Sequence, residues 1–299
     1  MTHTIYYHAD DYGVCAAQCR TILSCHTSGC LNSVSVFPNS PYLAEALTAL
    51  KTNTGLRTVI HLNLIEGHSS AQASSVPLLT DENGMLRCSF GYLLRANFSA
   101  PRRRHAFRAQ LKAEIAAQIA AVTRLTNSRR IRIDSHQHFH MIPLVFHALC
   151  DVIKEQHYQL DSLRIPVDPL RPILTTPRLL VKVPPVNLVK YGILRILSWH
   201  VLPRAKRICA DIPIFFGIPF TCHMEYDTVA LLLPKYDAIA RRQHRNLELM
   251  FHPGGVYNAN ELLDNANKEL MVFYSNPYRQ KEADALVKLA KTSSSKKTN

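Results

Sequence analysis

The sequence has no uninterrupted apolar run near the roughly 20 residues that a membrane-spanning helix requires. Its first twelve residues carry His3, His8, Asp10 and Asp11, so no apolar signal core stands there either. A cytoplasmic protein is therefore expected. Glycine is scarce, 10 in 299 residues with no fixed period, which excludes a collagen-like chain. Neither common glycine-rich phosphate loop occurs. Cysteine is dilute: eight residues cannot frame a disulfide scaffold in a chain this long. Cys15, Cys19, Cys25 and Cys30 cluster, but without the Cys-x-x-Cys knuckle of a zinc site, so reduced, mostly buried thiols are expected. Acidic side chains are the clearest deficit. There are 22 of them against 35 basic ones, for a net charge of +13 and a pI near 9.5. That surplus suits an anionic partner: nucleic acid, a membrane surface or a phosphorylated substrate. No aromatic-rich stacking motif supports the first of these.

What is present is the composition of a packed α/β protein. Hydrophobic residues make up 47% and charged ones 19%, enough for a sizeable core and too apolar for global disorder. Strands are expected at Thr4–Ala9, Leu31–Phe37, Thr58–Leu64, Arg130–Ser135 and Leu247–His252. Helical patterns fall between them at Val14–Thr27, Pro41–Lys51, Arg104–Thr126, Pro143–His157 and Asp227–Arg242. Helices of this length between strands imply parallel βαβ units, and a series of them implies an α/β barrel or a doubly wound sheet. One domain over 1–292 is expected, followed by a disordered basic tail over 293–299. Two stretches interrupt the rhythm. Ile65–Ala100 is long, polar and rich in serine and glycine, and reads as an excursion over one end of the sheet. The other is an insert over 168–207. Its Pro169–Arg207 stretch holds eight Lys or Arg and no Asp or Glu, and Val186–Leu202 within it is mostly apolar and carries the only tryptophan, Trp199.

Four motifs carry chemistry, each where an apolar strand ends. The first is His8-Ala9-Asp10-Asp11-Tyr12-Gly13. In parallel α/β folds, ligands bind at the carboxyl ends of the strands. Two adjacent carboxylates there repel unless a cation or proton relieves them, which a divalent metal would do. The alternative is that Asp10 or Asp11 caps the following helix. The second is His61-Leu62-Asn63-Leu64-Ile65-Glu66-Gly67, where His61 and Asn63 share one strand face. A lone strand histidine is often a core residue. The third is Asp134-Ser135-His136-Gln137-His138-Phe139-His140. If extended, it projects Asp134, His136, His138 and His140 to one side, and imidazole nitrogens are common metal ligands. The fourth is Met250-Phe251-His252-Pro253-Gly254-Gly255, whose Pro-Gly turn displays His252 as a candidate general acid. Together the motifs read as one metal-assisted hydrolytic site.

The four motifs, in this order, resemble the YdjC/ChbG-like carbohydrate deacetylases. The resemblance covers roughly residues 4–166 and 208–290. It includes Gly29-Cys30-Leu31-Asn32-Ser33-Val34-Ser35-Val36, Asn39, and the helix Leu111–Ala121 with Glu114 and Gln118. It implies an α/β fold: a distorted (β/α) barrel of mostly parallel strands, with the polar excursion and the basic, apolar helical insert added. It implies one divalent ion, Mg2+ or Zn2+, held by Asp11, His61 and His136, with Asp10 as general base and His252 as general acid. Asn63, His138 and Arg164 are the candidate substrate-binding residues. His8 stands where the family usually has Asn, a change expected to alter the surroundings of the site more than its chemistry. The implied activity is removal of an N-acetyl group from an N-acetylglucosamine-type sugar. Family members often pair, so a homodimer is compatible with the resemblance.

The insert is not explained by the family core. It reads either as a helical cover or dimer contact, or as an arm at the inner membrane surface, where Lys, Arg and Trp are at home. The layout is similar to the hopanoid-associated HpnK branch, which implies a sugar carried on a lipid. Soluble chito-oligosaccharides are the competing substrate. A metal-dependent phosphoesterase and a non-catalytic lipid-binding protein are the rival classes. A second basic cluster, Arg102-Arg103-Arg104 at a helix start, is expected to be a solvated face.

Overall fold

Short runs rich in β-branched and aromatic residues extend at the five places the pattern sets and at two it does not, and the computed structural model describes residues 3–255, 259–264 and 267–295. The strands are β1 (Ile5–Tyr12), β2 (Ser33–Val36), β3 (Arg57–Leu62), β4 (Arg130–Ser135), β5 (Gln159–Leu163), β6 (Ile214–Phe216) and β7 (Leu247–Phe251). They form one parallel sheet in the order β5-β4-β3-β2-β1-β7-β6. The residues before β6 hydrogen-bond back to β5: Ala210 N–H donates to the Leu160 carbonyl at 3.1 Å, and Leu163 N–H to the Asp211 carbonyl at 3.1 Å. The two sheet edges are thereby bridged, and the strands follow chain order around a distorted (β/α) barrel. Closure leaves no long unpaired edge.

Ten helices surround the sheet among the described residues: α1 (Ala16–Thr27), α2 (Leu43–Thr52), α3 (Phe90–Asn97), α4 (Pro101–Thr126), α5 (Pro143–Glu155), α6 (Arg171–Leu174), α7 (Pro185–Ile208), α8 (Tyr226–Arg242), α9 (Lys268–Tyr274) and α10 (Tyr278–Ser295). Proline starts α4, α5 and α7, where its missing N–H costs nothing. The helices bury their apolar faces on the sheet. α5 alone contributes Leu144, Val145, Phe146, Leu149, Val152 and Ile153.

The helix cap and the end of the last helix differ from expectation. The cap of α1 is Cys15, whose Sγ accepts from Gln18 N–H, and neither Asp10 nor Asp11. The Ile65–Ala100 excursion is partly ordered, with antiparallel bridges joining 68 to 85 and 80 to 86, and with α3 near its end. Helix α10 continues through Ser295, so residues 293–295 are helical where a disordered tail was expected, and 296–299 lie outside the described residues. The eight cysteines are free thiols, five of them buried.

Candidate active site

Strand β1 delivers two consecutive carboxylates to one end of the barrel because its backbone departs from the regular pleat. Its register with β2 shifts between Ala9 and Tyr12, and Asp11 adopts φ +66°. A left-handed conformation at a residue with a Cβ is strained by about 1–2 kcal/mol. It lets the neighbouring side chains face different partners. Asp10 takes a bidentate pair from Arg164, at 2.8 and 2.7 Å, while Asp11 Oδ2 accepts from Arg279 at 3.2 Å. Both carboxyls are buried, and burial alone would raise them. Arg164 holds Asp10, and the His136, His61 and Arg279 donors hold Asp11, well below the usual carboxylate range. The repulsion inferred from sequence is thus relieved by two arginines.

The other oxygen of Asp11 faces two histidines. His136 Nδ1 lies 3.1 Å and His61 Nε2 3.6 Å from Asp11 Oδ1. One ligand atom from each of Asp11, His61 and His136 falls within 4.8 Å of the others, and all three residues are buried. His61 comes from β3 and is oriented from behind, its Nδ1 2.8 Å from Asp134 Oδ1. A histidine backed by a carboxylate is the usual outer arrangement of a metal ligand. The Nε2 atoms of His61 and His136 have no hydrogen-bond partner among the described residues. Burial would lower the His61 imidazole, yet Asp134, Asp11 and Asp10 overcome this and raise it to about 10. The pocket therefore favours positive charge at this point. Two nitrogens and one carboxylate oxygen around a buried centre of negative potential fit a divalent ion such as zinc.

The histidine motif is not an extended strand. β4 ends at Ser135, and His136–Met141 forms a tight turn in which Gln137 and His138 have φ +50° and +62°. The four side chains consequently part. Asp134 supports His61, and His136 joins Asp11. His138 enters the cleft with its ring edge toward Phe215 and its Nδ1 unpartnered among the described residues. His140 is internal, bonded to Ser135 Oγ at 2.6 Å and the Arg164 carbonyl at 2.8 Å.

Across the mouth, β7 presents His252, with Nε2 3.7 Å from Asp10 Oδ2. Its backbone N–H donates to Glu282 of α10 at 2.5 Å. Burial lowers its imidazole to about 4 although Asp11 and Asp10 oppose this. Asp10, His136, His138 and His252 line a cleft of about 520 Å³. One wall of that cleft is α7, through Val186, Val189, Lys190 and Ile193.

Two candidate substrate residues have other work. Arg164 is fully internal, also donating to Glu248 at 2.6 Å and meeting Asp134 at 2.8 Å. Asn63 is buried, with its amide donating to Asn39 Oδ1 at 3.0 Å and the Glu66 carbonyl at 2.8 Å. His8 donates or accepts at Ser33 and Ser35, at 2.7 and 2.5 Å, and Ser35 in turn donates to Asp134. It belongs to the support behind the carboxylates. Sequence reasoning missed Arg279, Glu282 and Tyr274, which reach the site from α9 and α10. Tyr274 donates to Glu66 Oε1 at 2.5 Å, and that same oxygen lies 3.5 Å from His136 Nε2. Glu66 stood inside the second motif; the other three stand in no readable pattern.

Comparison with known proteins identifies the family and the fold. A family model described as YdjC-like protein matches residues 4–291. A mouse protein named carbohydrate deacetylase is 28% identical over 166 residues, which is 54% of this chain and 49% of that protein. A chitooligosaccharide deacetylase of Proteus mirabilis is 26% identical over 156 residues, 52% of this chain and 57% of its own. The chain thus spans about half the length of the relatives it matches. Its fold is similar to a crystal structure from Enterococcus faecalis, provisionally assigned to cellobiose-phosphate cleavage, with a TM-score of 0.66 at 18% identity over 99% of this chain and 95% of that one. With its model matched along nearly the whole sequence, this chain belongs to the YdjC-like protein family.

Proposed function

We propose that the protein is a metal-dependent hydrolase that removes the N-acetyl group from an N-acetylglucosamine-type sugar. One observation carries the reading. Three buried ligand atoms of Asp11, His61 and His136 lie within 4.8 Å of one another, and Asp10 and His252 face each other beside them at 3.7 Å. The names of the mouse and Proteus relatives support the reaction class.

Asp11, His61 and His136 would hold the divalent ion, Mg2+ or Zn2+, which supplies Lewis-acid polarisation of the amide carbonyl and of the attacking water. The remaining steps belong to the chain. Asp10, kept ionised and aimed by Arg164, accepts a proton from the water as its oxygen bonds to the carbonyl carbon. An acid held so low gives the proton up readily, and His252, its Nε2 3.7 Å from Asp10 Oδ2, is the acceptor that lines the cleft. Because burial keeps His252 neutral near pH 7, the proton reaches it during turnover and is then delivered to the amine nitrogen as the C–N bond breaks. Acetate and a free amino sugar leave. His138, neutral because burial lowers it well below the ordinary histidine value, is the group best placed to meet a sugar hydroxyl.

The apolar wall formed by Val186, Val189 and Ile193 supports a sugar carried on a lipid, as in the HpnK-like branch. Soluble chito-oligosaccharides are the second reading, favoured by the Proteus relative's name. The test is mass spectrometry of N-acetylglucosaminyl lipids and of chitobiose after incubation with metal-loaded enzyme. Loss of one acetyl group from either is expected. If neither changes while a sugar phosphate releases phosphate, the protein is a phosphoesterase and the proposal fails.

A further inference from the structure

We propose that the insert docks on an anionic lipid bilayer, which covers its exposed apolar face and borders the cleft. The proposal deepens the lipid-linked reading above by naming the partner, and its docking test is independent of turnover.

Ten of the thirteen large apolar side chains exposed among the described residues lie between 170 and 199. Val181 is 89% and Trp199 69% exposed. Helix α7 explains why. Its Asn187, Tyr191, Leu194, Ser198 and Val201 are buried along one stripe. A second stripe of the helix is apolar as well and lies outside the core, beside exposed Arg195 and Arg204. Val186, Val189, Ile193 and Ile196 recur at spacings of three, four and three. The first three line the cleft beside Asp10 and His252, and Ile196 and Trp199 carry the stripe outward into solvent. A surface covering this stripe would meet the mouth of the cleft.

Charge selects the occupant. Residues 169–207 hold no carboxylate and eight basic side chains, and Arg171, Arg178, Arg195 and Arg204 are exposed. A second copy would bring one +13 chain against another. Anionic headgroups complement the same rim. The rim continues onto α4 and α5: the His147 and His200 rings are 5.5 Å apart, and His147 shares a recess with Arg104. No helix among the described residues is long and apolar enough to cross a membrane, so α7 would lie in the interfacial plane.

Trp199 is the only tryptophan, so tryptophan emission, excited selectively over that of the tyrosines, reports on this face alone. Metal-free protein is mixed at low salt with vesicles of equal parts phosphatidylglycerol and phosphatidylcholine, or of phosphatidylcholine only. Flotation and a blue shift of Trp199 are expected with the first and not the second. Val181→Glu with Ile196→Glu should weaken partitioning by on the order of tenfold or more, and Arg178→Gln or Arg195→Gln by about fivefold each. All these variants should deacetylate chitobiose at the wild-type rate, which shows that they fold. No shift, equal partitioning onto both vesicles, or a lipid-free blue shift with a doubled mass by light scattering overturns the proposal. Wild-type protein that deacetylates chitobiose but docks on neither vesicle sinks this inference alone; docking without any deacetylation sinks only the proposed function.

Discussion

Asp10 and Asp11 are chemically identical neighbours with separate assignments, and the difference is made by what each oxygen touches. Both oxygens of Asp10 are held by Arg164, whereas Asp11 keeps Oδ1 turned to His61 and His136. Asp10→Asn should therefore retain one metal per chain by elemental analysis and lose about 10²–10⁴ in turnover. His136→Ala should lose metal and activity together. Arg164 has a different kind of importance. It is buried among Asp10, Asp134 and Glu248. Removing one partner of a buried ion pair typically costs about 3–5 kcal/mol because the remaining charge is left without compensation. Arg164→Met should lower the urea midpoint accordingly. Arg164→Lys should recover part of the stability but little activity, since an ammonium cannot reproduce the paired donors that aim Asp10.

At the scale of elements, the insert is fastened by a buried carboxylate at its start. Asp168 accepts the N–H groups of Gly217 and Ile218 at 2.8 and 3.1 Å and the Tyr236 hydroxyl at 3.3 Å, while its carbonyl accepts from Tyr191 of α7 at 3.0 Å. The donors favour the charged form, but burial outweighs them and raises the acid to about 7. A folded value above the unfolded one means that the folded chain binds this proton more tightly. The resulting stability is complete below about pH 4 and is lost as pH rises through 7, with a slope of at most about 1.4 kcal/mol per pH unit. Urea titrations at several pH values should show a smaller decline over that window for Asp168→Asn than for the native chain. The elements themselves were unequally legible. β4 was bounded correctly because Ile131 and Ile133 alternate with polar residues, but the turn after it was read as extended. β5 was not recognised because its Asp161 and Ser162 are polar yet buried, Asp161 being paired with Arg130 at 2.9 Å. β6 is only three residues long. The histidines and aspartates announced the site by residue type, but Arg279 and Glu282 reach it through α10 packing. A one-dimensional pattern holds no trace of that packing.

Over the whole molecule, the candidate metal ligands tie together strands that lie far apart in the chain. Asp11 ends β1, His61 belongs to β3, and His136 follows β4. An ion held by all three would link one side of the barrel at its open end. It would also replace the proton that Asp134 and Asp11 keep on His61. Because the unfolded chain cannot hold these groups together, binding energy appears as folding energy. At free metal one hundred times the dissociation constant, the gain is about 2.7 kcal/mol. Chelator should therefore lower the melting temperature by a few degrees, and a divalent ion should restore it in proportion to the logarithm of its concentration. The His61→Ala and His136→Ala chains should melt at one temperature with or without chelator. Asp10→Asn should respond as the native chain does, since its carboxylate faces Arg164 and not the ligand cluster. A native chain whose melting ignores both chelator and added metal would leave the cluster a structural charge network and remove the basis for hydrolysis at this site.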